Sequence, residues 1–488
     1  MLKKTFTGLL LLSGLWAGSC KDSDEEVQID VKNIQVSGLE EGAEVWNTAE
    51  LSVTTENQEG IQQIDFYIGD ESIASDKTAP YEFTWNTREY EDGEYTVKMV
   101  VVTTGGKTVE KSLTVQVKNT LLKLTIGDDF LYYNDKENYI VLSDTTGNVL
   151  HYQKVQNGQS YNIPSPGDFN DGIYDFTIIG PDDGYSEPRW DFDTYLSLPR
   201  GFQMSFNNDR TEPLQVPVSI KNVDPEVESY HIITNHISNF FDGTNGNYTY
   251  SIDNPESDFY VWIQNKEGKY FSHLYKGIKS GQENTIDLSL INTELDVIEG
   301  SFSAEKKLWY SIVYGWVGND NYELFNYDIN TEMNTYSYIH PGNWFDQLKL
   351  RYHFVYGDIL VSHENSPGIE PSFPILEGAK VTGNAKSLYE FDITVEGEMD
   401  RYELFLKNYQ NTYDWYCVGP KERNHVNSIN YPDEIQSKIS QDKEINQFKV
   451  SLVDFPDFEG YLNVLQADFS DVSYKEERIE MKYTIIQK

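Results

Sequence analysis

The residues best suited to chemistry are tryptophans set beside carboxylates and amides. Pro188-Arg189-Trp190-Asp191 is one such group, Trp316 with Asn319 and Asp320 a second, and Asn343-Trp344 with Asp346 a third. A flat indole can take the apolar face of a sugar ring while the neighbouring groups bond its hydroxyls. Trp316 and Trp344 are the preferred contact residues, with Trp190 as an outlier. Core packing is the competing account for all three, because large aromatic side chains bury readily in β-sheet proteins.

Other chemistry finds little support. No Gly-x-Ser-x-Gly elbow occurs, and His363-Glu364 begins a zinc helix motif that fails at Pro367. Gly106-Lys107-Thr108 falls on a predicted hairpin, where no helix N-terminus could hold a phosphate. His231 and His236 are five apart on a predicted strand, so they point to opposite faces. Asp168-Phe169-Asn170-Asp171-Gly172 resembles the start of a calcium loop, but its last acid comes one residue early. A routine Asp-Gly turn accounts for it. No cofactor or metal site is expected. Glycosidases need two carboxylates at a set separation, and 79 acidic residues hide any such pair. A glycan-directed hydrolase beyond Ser303 therefore stays open as an alternative.

The 488 residues carry a net charge of −41. That balance excludes a basic groove for nucleic acid and disfavours adhesion to anionic headgroups. With 39% hydrophobic and 14% aromatic residues, the chain can still build cores. It is long enough for several domains.

Lys3-Lys4, an apolar run through Leu9-Leu10-Leu11-Leu12 to Trp16, and Ala17-Gly18-Ser19 read as a signal peptide, residues 1–19. The small residues end at Cys20 and resemble the lipobox of bacterial lipoproteins, although Ala17 departs from the commoner leucine. The resemblance implies that Cys20 is acylated and anchors the chain by lipid alone. Residues 20–30 form an acidic tether, with Asp22, Asp24, Glu25 and Glu26. This tract resembles a lipoprotein export tag that directs proteins to the outer face of the outer membrane. The expected location is the outer membrane, facing the cell exterior. An ordinary secreted protein and a lipoprotein on the periplasmic side are the alternatives. Cys417, the second cysteine, then has no intramolecular partner and is expected to be a buried small hydrophobe.

From Val31 to Val117 apolar and polar residues alternate with period two, as at Leu51 and Val53, Ile64, Phe66 and Ile68, and Leu113, Val115 and Val117. Such alternation marks half-buried antiparallel strands. Turns are expected at Glu91-Asp92-Gly93 and Gly105-Gly106. Ala79-Pro80-Tyr81-Glu82-Phe83-Thr84-Trp85 followed by Asp92-Gly93-Glu94-Tyr95 resembles the bacterial immunoglobulin-like domain, over residues 31–119. In that family such domains act mostly as spacers or adhesive modules. Tyr81, Phe83 and Trp85 share one strand face and are expected in its core.

An internal repeat follows. Tyr139–Gly147 matches Tyr260–Gly268, and Val155–Gln159 matches Ile278–Gln282. Each copy reads as strand, glycine turn, strand, second glycine turn and strand. The unit loosely resembles the small sandwich modules of the carboxypeptidase-regulatory type. Two tandem β-sandwich modules are expected, at 120–212 and 213–301. A larger β-rich C-terminal domain then covers 302–488. An echo of the repeat around Tyr402 is too weak to place another copy. Asp433 to Gln441 is the one expected helix.

The fold class is thus all-β: tandem β-sandwich modules, the first immunoglobulin-like. The expected function is a surface-anchored binding lipoprotein for an extracellular polysaccharide, held by residues 302–488, with an outer-membrane transporter as a possible partner. An adhesive or structural stalk is the third reading.

Overall fold

The computed structural model describes residues 33–486 except 57, 129, 132–136, 183–188, 208–212, 236–237, 302–306, 319, 329–334, 357–358, 366–375, 389, 408–412, 439–444, 446, 457, 459 and 469–477. The signal peptide, Cys20 and its tether, His236 and Asn319 lie outside the described residues. The chain is all-β, as its alternating sequence requires, and divides after Asn119 into two compact units.

The first unit contains β1 (Ile34–Ser37), β2 (Glu44–Val45), β3 (Thr48–Thr55), β4 (Ile61–Ile68), β5 (Glu71–Asp76), β6 (Tyr81–Asn86), β7 (Gly93–Thr103) and β8 (Thr108–Val117). Two sheets, β1-β3-β6 and β2-β8-β7-β4-β5, enclose one core. Tyr81, Phe83 and Trp85 are all buried there, one from every second position of β6. Asn119 closes the end of the sandwich. Its amide donates to the carbonyls of Thr87 (2.7 Å) and Tyr90 (3.1 Å), and its carbonyl accepts from the Thr87 hydroxyl at 3.0 Å.

The second unit is built from four sandwiches. The first of them has β9 (Thr120–Ile126), β10 (Asn138–Ser143), β11 (Val149–Val155), β12 (Gln159–Pro164), β13 (Ile173–Asp182), β14 (Arg189–Pro199) and β15 (Phe202–Phe206). The next has β16 (Leu214–Lys221), β17 (Val227–Ile233), β18 (Ser238–Asp242), β19 (Gly246–Ile252), β20 (Glu256–Asn265), β21 (Tyr270–Lys279), β22 (Asn284–Asp287) and β23 (Thr293–Glu294). Their plans agree. β12-β9-β15 matches β19-β16-β22, each with its last strand parallel to its first, and β11-β10-β13-β14 matches β18-β17-β20-β21.

Against this shared plan the sequence match is out of phase. It aligns β10 with β20, whereas the topology makes β10 equivalent to β17 and β20 equivalent to β13. Two-sided burial is the reason. Ile140 and Leu142 fill their own sandwich while Tyr139 and Val141 face a larger shared core. Phe259, Val261 and Ile263 likewise face inward, and Tyr260 and Trp262 outward into that shared core. Both strands therefore read as continuous apolar runs followed by a glycine turn.

The region expected as one C-terminal domain, 302–488, is two further sandwiches. One has β24 (Val297–Ser301), β25 (Lys307–Val317), β26 (Asp320–Asp328), β27 (Thr335–Ile339), β28 (Gln347–Tyr356) and β29 (Ile359–Asn365). β30 (Lys380–Ser387) leads into the other, with β31 (Glu390–Glu396), β32 (Arg401–Lys407), β33 (Tyr413–Pro420), β34 (His425–Asn427), β35 (Gln447–Asp454) and β36 (Arg478–Ile486). The faint echo around Tyr402 lies on β32, the strand equivalent to β10. Two short helices complete this sandwich, α1 (Asp433–Gln436) at the expected position and α2 (Tyr461–Asp468).

These sandwiches are not separate beads. A twelve-stranded sheet, β11-β10-β13-β14-β33-β32-β35-β36-β29-β28-β25-β26, runs through three of them. β14 pairs in parallel with β33, and β36 pairs antiparallel with β29. The expected divisions at 212 and 301 thus mark changes of sandwich but not of folding unit. The shared core draws on all four sandwiches, from Tyr139 through Tyr260 and Tyr352 to Leu452.

Candidate functional site

Where β14 meets β33, the two sandwiches leave a cleft of about 740 Å3. One wall comes from the sandwich of residues 120–206: Thr145 in the β10–β11 turn, Ile173 at the start of β13 and Ser197 on β14. The other comes from the last sandwich. Pro420 ends β33, Glu422 and Arg423 follow it, and Tyr461, Leu462 and Asn463 open α2. The volume is that of an ordinary small-molecule or short-oligomer site.

Local sequence sets each wall. The β10–β11 turn needs glycine at position 147, where φ is +88° and an added Cβ would strike the Ser428 carbonyl. That close approach lets Asn430 donate its backbone N–H to the Gly147 carbonyl at 2.9 Å. Thr145 is thereby held against the last sandwich. α2 is pinned by Tyr461, whose hydroxyl donates to the Val418 carbonyl at 3.3 Å.

Beneath the cleft lies a buried polar network. A β-bulge sets Leu196 and Ser197 of β14 against the single residue Asp175 of β13, between the Tyr174–Leu198 and Phe176–Tyr195 pairs. Ser197 is one of three non-glycine residues with left-handed backbone among those described, at φ +57°. Its N–H donates to Asp175 Oδ1 at 2.9 Å. Arg423 Nη1 forms an ion pair with the same oxygen, and Nη2 donates to the Thr145 carbonyl at 3.0 Å. Tyr402 fixes the arginine from behind by donating to its carbonyl at 2.8 Å. Burial pushes the Asp175 carboxyl up, the Arg423 charge draws it down, and it settles at about 6. Bulges, non-glycine residues at positive φ and displaced carboxyl groups each mark functional sites. Here all three coincide at one cleft.

The predicted tryptophans lie elsewhere. Trp316 is only 4% exposed and packs beside Tyr314, with Lys349 Nζ 5.9 Å from its ring. It offers no free face to a sugar, which corrects the expectation from sequence. Trp344 is half-buried, donates its indole N–H to Ser272 at 3.0 Å and meets His273 edge-on. Asp346 beside it accepts the Gly318 N–H, so this group serves the fold. Trp190 packs against the shared core with Lys438 Nζ 5.2 Å from its ring. The structure brings none of the three to the cleft. Trp309, which the sequence did not distinguish, is 47% exposed at a bulge of β25.

In the turn at Asp168–Gly172, Arg200 donates to the carbonyls of Asp171 (2.8 Å) and Phe169 (2.7 Å). Cys417 is fully buried, and burial raises its thiol far above the ordinary range. It lies close enough to feel the charges of Asp175 and Arg423 but does not line the cleft.

The cleft residues were missed because each comes from a different segment. One signal was available: Asp175 interrupts the apolar run Tyr174–Ile178. It reads as the outward member of an alternating strand, and it is buried because the last sandwich covers that face.

Comparison with known proteins bears on the first unit. Residues 34–99 match the family model of the bacterial Ig domain. That stretch of the first unit is a bacterial immunoglobulin domain. No curated protein matches the chain. Among solved structures, the Clostridium thermocellum CbhA fibronectin(III)-like modules are 26% identical, with 17% of this chain and 93% of theirs covered and a TM-score of 0.16. The Bacteroides ovatus mixed-linkage glucan utilization locus protein SGBP-B, solved with a heptasaccharide, is 11% identical over 62% of this chain and 88% of its own, at a TM-score of 0.16. A tetra-tandem repeat from the extending region of a large adhesion protein is 12% identical over 68% and 94%, at 0.18.

Proposed function

We propose that this chain is a cell-surface binding lipoprotein that holds a segment of extracellular glycan in the cleft between β14 and β33. The cleft itself carries the reading. Ile173, Pro420 and Leu462 give it aliphatic surface for the apolar faces of sugar rings, while Thr145, Ser197, Glu422, Arg423 and Asn463 offer hydroxyl, carboxylate, guanidinium and amide groups. One continuous sheet underlies both walls and carries Ile173, Ser197 and Pro420 on its strands. Acylation at Cys20 would anchor the chain to the outer membrane ahead of the immunoglobulin domain, and a transporter in that membrane would receive the captured oligomer.

The test is retention of the whole mature chain on an array of neutral and acidic polysaccharides. The reading expects retention on at least one neutral polymer and its loss in the Glu422→Ala/Asn463→Ala double variant. Glu422 and Asn463 are exposed, so this variant should keep its fold. Retention unchanged by the double substitution would remove the cleft from the account.

A further inference from the structure

We infer that Asp175 is the positioning residue of the cleft and makes its polar wall respond to pH, a proposal that rests on the cleft being the ligand site. Asp175 does not line the cleft. It organises three groups that do. One carboxylate oxygen receives the Ser197 N–H and the Arg423 guanidinium, and the arginine passes the restraint to Thr145 through that residue's carbonyl. These three groups come from two sandwiches and from segments more than 200 residues apart. The carboxylate is the one atom group common to them.

Its surroundings make the charge conditional. Asp175 is 2% exposed. Arg423 from the β33–β34 turn is the cation against it. Asp144 from the β10–β11 turn, Cys417 on β33, Tyr402 on β32 and Tyr461 on α2 are further titratable groups that interact with it among the described residues. Burial raises the last three, so thiol and phenols stay neutral. Arg423, helped by the Ser197 N–H, therefore holds the carboxylate ionised against desolvation, and Asp144 works against it. Above about pH 6 the ionised form accepts both donors. Below it, protonation converts the charged pair into a neutral contact and frees the guanidinium to hydrate. The Ser197 N–H then faces a neutral and weaker acceptor, and the wall loosens.

Two readings test this. In the uniformly labelled mature chain, the Ser197 amide nitrogen resonance should shift with an inflection near pH 6, and no substitution is needed to see it. Affinity for the neutral oligosaccharide selected on the array should fall between pH 7.5 and 5. In Asp175→Asn the inflection should vanish, affinity at pH 7.5 should drop about tenfold, the loss expected for one charged hydrogen-bonded pair, and the pH profile should flatten. A Ser197 amide without inflection between pH 5 and 7.5 would overturn the proposal, as would Asp175→Asn with wild-type affinity and profile. An inflection in a chain that no polysaccharide retains would support the role of Asp175 in shaping the wall while removing glycan as the ligand.

Discussion

Trp415 donates its indole N–H to the hydroxyl of Thr194 at 2.8 Å, across the parallel pairing of β33 with β14. Both residues are buried, and the Thr194 hydroxyl also meets that of Thr177 at 3.0 Å. A parallel contact between strands this far apart in sequence is what turns neighbouring sandwiches into one sheet. It also fixes the spacing of the cleft walls a few residues further along, where Ser197 faces the turn after Pro420.

Thr194→Val keeps the shape and removes the acceptor. The buried Trp415 N–H is then unsatisfied, at a cost of about 1–3 kcal/mol. Because the sheet is continuous, calorimetry should show the whole transition of residues 120–488 moving down together, with that of the immunoglobulin domain unmoved. A shift confined to part of the second unit would show that its sandwiches melt independently.

Trp316 and Trp309 should separate core from surface. Trp316→Ala empties a buried site and should cost about 3–5 kcal/mol. Trp309→Ala removes an exposed side chain and should change stability by about 1 kcal/mol or less. Urea titrations of the two variants compare them directly, and equal losses would contradict the burial seen here.

Stability should rise as pH falls from 8 to about 5. Burial pushes Asp193 up to about 7, with Asp191 adding to it, and burial also holds Asp175 and Asp191 at about 6, all from 3.8. The folded state therefore binds protons more tightly than the unfolded chain between pH 3.8 and 7, and stability declines as pH rises through that window. His231, lowered to about 4 by burial, and His273, also lowered by burial, oppose them below their ordinary 6.5. Three acids outweigh two imidazoles, so the melting temperature at pH 5 should exceed that at pH 8. Asp193→Asn should reduce the difference. A melting temperature that falls steadily from pH 8 to pH 5 would refute this balance.

The lipid anchor is tested by Cys20→Ala. The variant should leave the membrane fraction and lose acyl labelling. A variant still bound and still labelled would place the anchor at another residue.

Much of the fold was legible because burial on one face writes itself as alternation. The β6 triad of Tyr81, Phe83 and Trp85 is the clearest case. Strands buried on both faces, such as Tyr260–Ile263, lose that signature, which put the repeat out of phase. The β14–β33 pairing leaves no local trace, since its partners are set by the shared core rather than by a turn. The cleft was illegible for the same reason: Thr145, Ser197 and Arg423 become neighbours only once that pairing exists. Trp316 misled because asparagine and aspartate in nearby turns look the same whether a tryptophan stacks on sugar or packs against Tyr314.

The central claim is that a glycan occupies the cleft between β14 and β33. A crystal structure of the mature chain with the neutral oligosaccharide selected on the array tests it most directly. The account predicts sugar rings against Ile173 and Leu462, with hydroxyls within hydrogen-bond distance of Ser197, Glu422 or Asn463. Sugar bound over Trp309 or on the immunoglobulin domain, with the cleft holding only water, would contradict it.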